Sequence, residues 1–271
     1  MAGDRIVLNP SAEEKLRNAG FSTCAAFLDL PGGEAVAKSR TTSTVRAQGE
    51  GLGAFYLKRY RFPTLADRVR GLFRGTLFGR CKAEREYENL LRLTGNGLAA
   101  PEPIAWGARR AGLLLGEAFL AASAIPDAER ADAFLARTPP LPRRERTTAI
   151  RAAAAGIAAL HKAGYTDGSM ALRNLLVARD GTGFKVFKVD CAKGRWRIPP
   201  GFPVVEDLAR LDAGAMRLAS VRDRLRFLKT YLGGELGDRA RHWIEVIARV
   251  RTRYEADERV RLSEPGAPLH K

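Results

Sequence analysis

The chain has 271 residues with 45% hydrophobic side chains, and its 46 Lys and Arg against 30 Asp and Glu give a net charge of +16. This length suffices for one or two hydrophobic cores, and the apolar fraction excludes a disordered chain. No apolar run reaches the length of a membrane helix, about 18 residues, and no signal peptide is apparent. The three cysteines lack metal-ligand spacing. We therefore expect a cytoplasmic protein with reduced thiols.

Strand-like segments dominate the first half of the chain. Turn residues there separate stretches rich in Val, Thr, Phe and Tyr, which favour extended structure. Residues 81–97 differ, because Tyr87, Leu90 and Leu93 recur at helical spacing. The predicted elements are a short helix within 11–30, two strands about a polar loop within 34–48, a strand at 54–60, the helix at 81–97, a Pro-punctuated segment at 98–110 that leads to a strand, and a strand at 111–122.

Helical patterns dominate the second half. An Ala-rich stretch favours a strong helix that stops at Gly164, and the turn Gly-Thr-Gly separates two short apolar strands. The predicted elements are a loop around a short helix at 126–145, a helix at 146–164, strands at 174–180 and 184–190, and mostly helix from about 205 to 258.

The change from a strand-rich to a helical composition predicts an α+β fold with two lobes. We place the boundary near Glu117, so that the first lobe comprises residues 1–117 and the second residues 118–271. We find no internal repeat in the sequence.

A basic segment from Lys58 to Arg85 holds nine Lys and Arg residues against two acids, Asp67 and Glu84. Such a field attracts phosphates, anionic lipid surfaces or nucleic acid. The alternative interpretation is a set of solvated side chains, because the basic excess is spread along the whole chain. Residues 63–80 within this segment are predicted to be irregular.

Four residues of the types that phosphoryl transfer from ATP needs follow one another along the chain. Lys58 lies on a predicted strand and Glu86 on the next helix, where a carboxylate can hold the Lys side chain against the α- and β-phosphates. Asn174 and Asp190 flank a predicted hairpin, and their side chains offer the oxygens that hold magnesium ions. Each residue alone could lie on a surface, a helix face or a turn, but the ordered set predicts binding of ATP and Mg2+.

The segment GYTDGSMALRNLLV, residues 164–177, has the layout of a kinase catalytic loop. Such a loop normally carries an Asp five residues before its Asn, and this Asp accepts the proton of the substrate hydroxyl. Five residues before Asn174 stands Ser169, and the nearest acid is Asp167. The loop therefore predicts either a phosphotransferase with a shifted base or a kinase fold that has lost its chemistry.

Several stretches of the chain resemble the lipopolysaccharide core kinases, the heptose and Kdo kinase group that is distantly related to protein kinases. They are YLKRYRF, AEREYENLLRL followed by APEPIAWG, LHKAG with LRNLLV, VDCAKGR, EDLARL and DRLRFLKTYL, which span about residues 56–232. The resemblance implies a bilobal protein-kinase-like fold, ATP as the phosphate donor, and a sugar hydroxyl of a lipopolysaccharide-type glycolipid as the acceptor. It also implies peripheral contact with the anionic inner face of the cytoplasmic membrane. Asp207 of EDLARL would brace the backbone of the catalytic loop.

The phosphate-covering loop departs from the protein-kinase pattern. The chain has no GxGxxG motif and no Walker A motif, and GEGLG is better interpreted as the turn that enters the strand of Lys58. We assign phosphate contact to the earlier segment KSRTTST, where the hydroxyls of Ser39, Thr41 and Thr42 and nearby backbone amides could bind phosphate.

The catalytic loop departs from the family as well. In the ungapped register Ser169 replaces the catalytic Asp, and Asp167 takes the place of the loop's His. The alternative is a reshaped loop that brings Asp167 to the acceptor as the remaining base. General base catalysis contributes about 10²–10⁴-fold, so its loss would leave a slow kinase.

Two other functions compete with an active kinase. One is a pseudokinase that binds nucleotide and acts through a partner. The other is a nucleic-acid binder that uses the positive charge, which would need a basic stripe interleaved with aromatic side chains. Trp106, Trp196 and Trp243 are too scattered for such a stripe, so we expect no nucleic acid partner.

Overall fold

The computed structural model describes residues 3–49, 52–64, 66–68, 80–112, 114–197, 201–234 and 237–263, with side chains except at position 239 and beyond 255. The chain divides into two compact units. The first contains the chain up to Thr94 together with Pro101–Ala124, and the second contains Gly95–Ala100 and the chain from Ile125 onward. Glu117, where the sequence analysis places the lobe boundary, lies within the last strand of the first unit.

A six-stranded antiparallel sheet forms much of the first unit. Its strands are β1 (Gly3–Leu8), β2 (Glu34–Lys38), β3 (Thr42–Gly49), β4 (Gly53–Arg61), β5 (Pro103–Ala111) and β6 (Leu114–Ser123). They lie in the order β1–β5–β6–β4–β3–β2, so β4 has a hydrogen-bonded neighbour on each side. The predicted strands at 34–48, 54–60 and 111–122 are confirmed.

One strand of this sheet was not predicted. β1 lies at the edge of the sheet and pairs antiparallel with β5. Its sequence GDRIVL has exposed residues in its first half and no turn signal on its N-terminal side. The pattern is therefore too short and too polar to indicate a strand without its partner.

Among the described residues of the first unit, the helices α1 (Glu13–Asn18), α2 (Cys24–Leu28) and α3 (Lys82–Gly95) accompany the sheet. Phe27 of α2 stacks on Phe119 of the sheet with ring centroids 4.4 Å apart. This close approach depends on Gly107 in β5, because a Cβ there would come within 2.5 Å of the Phe119 ring and 2.8 Å of the Cys24 sulfur. The expected short helix within 11–30 and the helix at 81–97 are confirmed.

The second unit contains short strands and longer helices. These are β7 (Glu129–Arg130), α4 (Ala131–Ala136), α5 (Arg143–Lys162), β8 (Tyr165–Thr166), β9 (Leu175–Asp180), β10 (Gly183–Lys188), β11 (Arg195–Trp196), α6 (Pro203–Ala215), α7 (Val221–Tyr231) and α8 (Asp238–Ser263). They confirm the helix, the hairpin and the helical C-terminal part that the sequence predicts.

Helix α5 organises the second unit. It packs against α7 and against β10, and its small side chains allow close contact, since Ala154 and Ile157 are fully buried. The helix ends at Lys162, and Gly164 follows with a φ of 87°, which starts the catalytic loop. Helix α6 packs against α8 and carries Asp207 on its buried face.

The strand-rich first unit and the helical second unit match the predicted α+β class. In the part of the chain that the structure describes, no helix is long and apolar enough to span a bilayer. Residues 69–79 of the basic segment, which were expected to be irregular, lie outside the described residues.

Candidate active site

Strand β4 and helix α3 bring Lys58 and Glu86 together in the first unit. The Lys58 Nζ donates a hydrogen bond of 3.0 Å to the Glu86 Oε2. Glu86 is almost fully buried, whereas the Lys58 side chain keeps 22% of its surface exposed. Tyr60 also donates to the same carboxylate, at 3.2 Å. The carboxylate therefore holds a partly exposed ammonium group in a fixed position, as a phosphate-binding Lys requires.

The hydroxyl residues assigned to phosphate contact lie at the turn between β2 and β3. Ser39 donates its backbone amide to the Thr42 carbonyl at 2.7 Å, and the Thr41 carbonyl accepts from the Arg61 amide at 2.9 Å. β3 pairs with β4 so that Thr44 lies opposite Lys58. The turn thus belongs to the strand pair that carries Lys58, and Ser39 at its tip is exposed.

The β9–β10 hairpin brings Asn174 and Asp190 close together in the second unit. Asn174 immediately precedes β9, and Lys188 at the end of β10 lies opposite Leu175. The Val189 amide donates a hydrogen bond to the Asn174 carbonyl at 3.0 Å. Asp190 is the next residue in the chain and therefore lies beside Asn174. The predicted hairpin is therefore present, and its two ends carry Asn174 and Asp190.

The Asn174 side chain and the Asp190 backbone adopt defined conformations at the end of this hairpin. The Asn174 Nδ2 donates to the Ser169 carbonyl at 3.2 Å, which leaves the amide oxygen turned away from that bond. Asp190 adopts a φ of 56°, a conformation that non-glycine residues enter at a cost. Asp190 is also exposed, which suits a carboxylate that meets a soluble ligand.

Asp207 fixes the backbone of the catalytic loop. Its two carboxylate oxygens accept hydrogen bonds from the amide of Asp167 at 2.8 Å and of Gly168 at 2.9 Å. Its side chain is fully buried, and His161 approaches it at 3.4 Å. The bracing role that the family resemblance implied for Asp207 is confirmed by these contacts.

Asp167 is buried beneath the loop rather than displayed on it. Its carboxylate lies 3.0 Å from the Lys188 Nζ, and neither side chain has any exposed surface. Burial raises the pKa of Asp167, an effect that Lys188 opposes and that Asp207 and Asp190 reinforce. Burial alone would lower the pKa of Lys188, but the adjacent Asp167 and Cys191 raise it above its ordinary value. The two residues thus form an internal ion pair.

Ser169 occupies the position five residues before Asn174 and is partly exposed. Its hydroxyl donates to the Asp167 Oδ1 at 3.2 Å. The loop therefore places a hydroxyl at its surface and a carboxylate directly behind that hydroxyl.

Lys188 was not among the predicted site residues. A period-2 signal was present in the sequence FKVFK, because Lys188 shares a strand face with Val186. Both residues are buried, whereas Lys185 points to the exposed face. A lysine on the apolar face of a strand indicates a buried acidic partner, and that partner is Asp167.

The contact between His161 and Tyr231 was not predicted either. The His161 Nδ1 and the Tyr231 Oη lie 2.8 Å apart. His161 is the His of LHKAG at the end of α5, and Tyr231 closes α7 in the motif DRLRFLKTYL. Through His161, the contact links α7 to Asp207. Two motifs that looked separate in the sequence therefore meet behind the catalytic loop.

The chain is similar to a known protein family and to solved kinase structures. The model of the lipopolysaccharide kinase (Kdo/WaaP) family matches residues 32–231. Among solved structures, WaaP in complex with acyl carrier protein matches with a TM-score of 0.67 and 21% identity, covering 93% of this chain and 98% of that chain. A double mutant of the PknI kinase domain from Mycobacterium tuberculosis matches with a TM-score of 0.46 and 18% identity, over 68% of this chain and 70% of that chain. No curated protein sequence matches significantly.

The likeness to WaaP covers nearly the whole chain and confirms the predicted protein-kinase-like α+β fold. The family model covers most of the chain, including Lys58, Glu86, the catalytic loop and Asp190. This chain therefore belongs to the lipopolysaccharide kinase (Kdo/WaaP) family.

Proposed function

We propose that the protein transfers the γ-phosphate of ATP to a sugar hydroxyl of a lipopolysaccharide-type glycolipid or a related glycan. The observation that carries this proposal is the meeting of Asn174 and Asp190 at the end of one hairpin. The ion pair of Lys58 and Glu86 supports it from the first unit. Family membership supports a lipopolysaccharide-type glycolipid as the acceptor and is compatible with a related glycan.

In this proposal the first unit binds the phosphates of ATP. Lys58 would neutralise the α- and β-phosphates, and Glu86 would keep its ammonium group in place. Ser39, Thr41 and Thr42 would contact phosphate through hydroxyls and backbone amides at the β2–β3 turn. This turn carries no glycine, so its backbone approaches a phosphate less closely than a Gly-rich loop does.

Asn174 and Asp190 fit a magnesium ion. Mg2+ is usually held by one or two carboxylates together with phosphate oxygens, and it rarely uses a cage made by protein alone. The described residues contain no cluster of three or more His, Cys, Asp or Glu side chains that could form such a cage. The exposed Asp190 carboxylate and the Asn174 amide oxygen match the first kind of site. The ion would supply charge neutralisation to the transferred phosphoryl group.

A pseudokinase is the second candidate function, and the position of Ser169 favours it. A Ser hydroxyl accepts a proton poorly at neutral pH, and the nearest carboxylate, Asp167, is buried in an ion pair. A protein of this kind would bind nucleotide through the same residues and act through a partner. The two candidates differ in phosphate transfer and agree on nucleotide binding.

Nucleotide binding is tested by the melting temperature of the protein with and without ATP and Mg2+. A ligand that binds only the native state stabilises it by about 2.7 kcal/mol at a hundredfold excess over its Kd, so we expect a clear upward shift. Asp190→Ala should remove most of the shift. Asp180→Ala, an exposed Asp at the other end of the same hairpin, is the matched control and should keep it. No shift for the native protein at millimolar ATP would rule out both candidates.

An apolar cavity in the second unit suggests a partner. It has a volume of about 360 Å3 and is lined by residues of α4 to α8, among them Phe134, Ile157 and Leu211. Three exposed apolar side chains, Val221, Leu225 and Ile244, also line it, so the cavity reaches the surface. Cavities of this size and composition bind apolar ligands.

We propose that this cavity takes an acyl chain presented by an acyl carrier protein, the partner in the WaaP structure that the chain resembles. The apolar lining suits a hydrocarbon chain, and the positive charge of the protein suits an anionic carrier. Acyl-loaded carrier protein should bind, and the carrier without its acyl chain should bind far more weakly. Ile157→Trp, which fills the cavity, should abolish the difference. Equal binding of the loaded and unloaded carriers would contradict an acyl site.

A further inference from the structure

Ser169, Asp167 and Lys188 form a continuous array from the surface of the catalytic loop into the interior of the second unit. The Ser169 hydroxyl donates to the Asp167 Oδ1 at 3.2 Å, and the other oxygen of that carboxylate lies 3.0 Å from the Lys188 Nζ. Ser169 is partly exposed, whereas the other two side chains are fully buried. The Ser169 hydroxyl therefore connects the surface of the loop to the buried carboxylate.

The array is held rigidly by its surroundings. The Asp167 amide donates to Asp207, and the Asn174 side chain donates to the Ser169 carbonyl, so the backbone is fixed on both sides. The Lys188 Nζ also donates to the Val189 carbonyl. The hydroxyl and the carboxylate consequently keep their geometry without help from a ligand.

We propose that Ser169 and Asp167 act together as a proton relay, in which the Ser169 hydroxyl receives the proton of the acceptor sugar and passes its own proton to Asp167. This inference rests on the proposed kinase function. It explains how the chain could transfer a proton without an Asp at position 169. The Ser169 hydroxyl stands where the catalytic carboxylate normally lies, and the base is Asp167 directly behind it.

Atoms and charges balance in the proposed step. The acceptor hydroxyl gives its proton to the Ser169 Oγ while the Ser169 proton moves to the Asp167 Oδ1. The acceptor oxygen forms a bond to the γ-phosphorus of ATP, and the bond from that phosphorus to the oxygen of the β-phosphate breaks to release ADP. Ser169 ends as it began, and Asp167 ends as a neutral acid that returns its proton to solvent by the same route.

The charged and titratable groups around Asp167 favour this role. Lys188 lies 3.0 Å from its carboxylate, and Asp207, Asp190 and Tyr165 interact with it electrostatically. Burial and the two neighbouring carboxylates raise the pKa of Asp167 against the opposing effect of Lys188. The relay itself rests on the hydrogen bond from the Ser169 hydroxyl to the Asp167 Oδ1. Lys188 is a positioning residue, because it fixes the second carboxylate oxygen and leaves the first one for Ser169.

The test is a double-mutant cycle on kcat for phosphate transfer from ATP to deep-rough lipopolysaccharide. Asp167→Asn and Ser169→Ala should each lower kcat by about 10²-fold with little change in the KM for ATP. The double variant should lose no more than either single variant, because both changes interrupt one relay. Ser169→Thr, which keeps the hydroxyl, should retain kcat within about fivefold of the native protein.

Asp167→Asn leaves Lys188 buried without its partner and could prevent folding. In that case Asp167→Asn combined with Lys188→Met replaces it in the cycle, since the combination removes both buried charges. The Ser169 variants leave the ion pair intact, and their melting temperatures should stay close to that of the native protein.

Three results would overturn the relay. If Ser169→Ala retains nearly full kcat, the hydroxyl carries no proton. If the losses in the double variant multiply to about 10⁴-fold, Ser169 and Asp167 act separately. If the native protein binds ATP and Mg2+ yet transfers no phosphate, the relay is absent and the pseudokinase stands. Failure of the native protein to bind ATP at all would remove the proposed function itself, which the melting experiment detects separately.

Discussion

Gly194 is the residue that allows the ring of Tyr165 to lie against the segment after Asp190. A Cβ at this position would come within 2.4 Å of the Tyr165 ring and 2.5 Å of its hydroxyl. Tyr165 is fully buried and packs edge-on against Trp196, with ring centroids 5.2 Å apart, so the ring has little room to move. Gly194 thus sets how closely the chain beyond Asp190 approaches the catalytic loop.

Gly194→Ala should lower the free energy of unfolding by about 1–3 kcal/mol, because overpacking forces a buried ring to shift. Urea denaturation measures the effect. Gly95→Ala is the control, since no atom lies within 4 Å of the Cβ it would add and the stability should change little. Unchanged stability of Gly194→Ala would mean that Tyr165 is free to move aside.

The buried pair of Asp167 and Lys188 makes a second prediction at the scale of single residues. Lys188→Met leaves the Asp167 carboxylate buried without a counter-charge, so we expect a loss of about 3–5 kcal/mol in the free energy of unfolding. Adding Asp167→Asn to Lys188→Met should recover much of that loss, because an uncharged amide is cheaper to bury. A double variant less stable than Lys188→Met alone would show that the carboxylate is stabilised by other groups.

At the scale of elements, spacing and periodicity predict most of what positions the site. The separation of sixteen positions between Asn174 and Asp190 predicts a hairpin, and β9 and β10 form it. Lys58 on a strand and Glu86 on the next helix are also where the patterns place them. These predictions succeed because each depends on local hydrophobic periodicity and on turn residues.

Side-chain contacts between elements could not be predicted from the sequence. The pairing of Asp167 with Lys188 joins the catalytic loop to β10, and that of His161 with Tyr231 joins α5 to α7. Each side chain alone has an ordinary surface interpretation, and only the packing of the elements decides its partner. β1 was missed for a similar reason, because its pairing with β5 joins residues about a hundred positions apart.

Helix α7 begins with a capping box, and Arg146 of α5 donates a hydrogen bond to the Asp223 carboxylate of that box. The Ser220 hydroxyl accepts from the Asp223 amide, and the Asp223 carboxylate accepts from the Ser220 amide and from Arg146 at 3.0 Å. Partial burial would raise the pKa of Asp223, but the hydrogen bonds from Arg146 and Ser220 outweigh it and lower the pKa below its usual value. Asp223 therefore stabilises the fold in its charged form.

Asp223→Ala should cost about 1–3 kcal/mol in the free energy of unfolding at pH 7. Because the folded pKa is lowered, the contribution is present above the unfolded pKa of about 3.9 and is lost as pH falls through the folded pKa. The gap between native protein and variant should therefore narrow in urea denaturation as pH falls below about 4. A gap that is the same at pH 7 and in acid would show that packing, and not the charge, makes the contribution.

At the scale of the whole molecule, the chain carries a net charge of +16, and some of its cations also have a structural role. In the basic segment, Arg59 donates to the carbonyls of Phe27 and Leu30, and Arg61 donates to that of Leu28. These cations hold α2 against the sheet.

We expect the protein to bind vesicles that contain anionic lipid at low salt, because the net charge attracts it to a negative surface. Raising the salt should weaken binding, since the Debye length shrinks to about 8 Å at 0.15 M. Vesicles of neutral lipid are the control in the same sedimentation assay. Equal binding to both kinds of vesicle, or binding to neither, would contradict an electrostatic contact with membranes.

The measurement that tests the central claim most directly is transfer of labelled γ-phosphate from ATP to deep-rough lipopolysaccharide by the purified protein. We predict labelled lipopolysaccharide in the presence of Mg2+, and a loss of at least about 10²-fold in rate for Asp190→Ala, with Asp180→Ala as the unaffected control. Absence of label from lipopolysaccharide with a native protein that binds ATP would contradict the claim of an active kinase, as would an undiminished rate in Asp190→Ala.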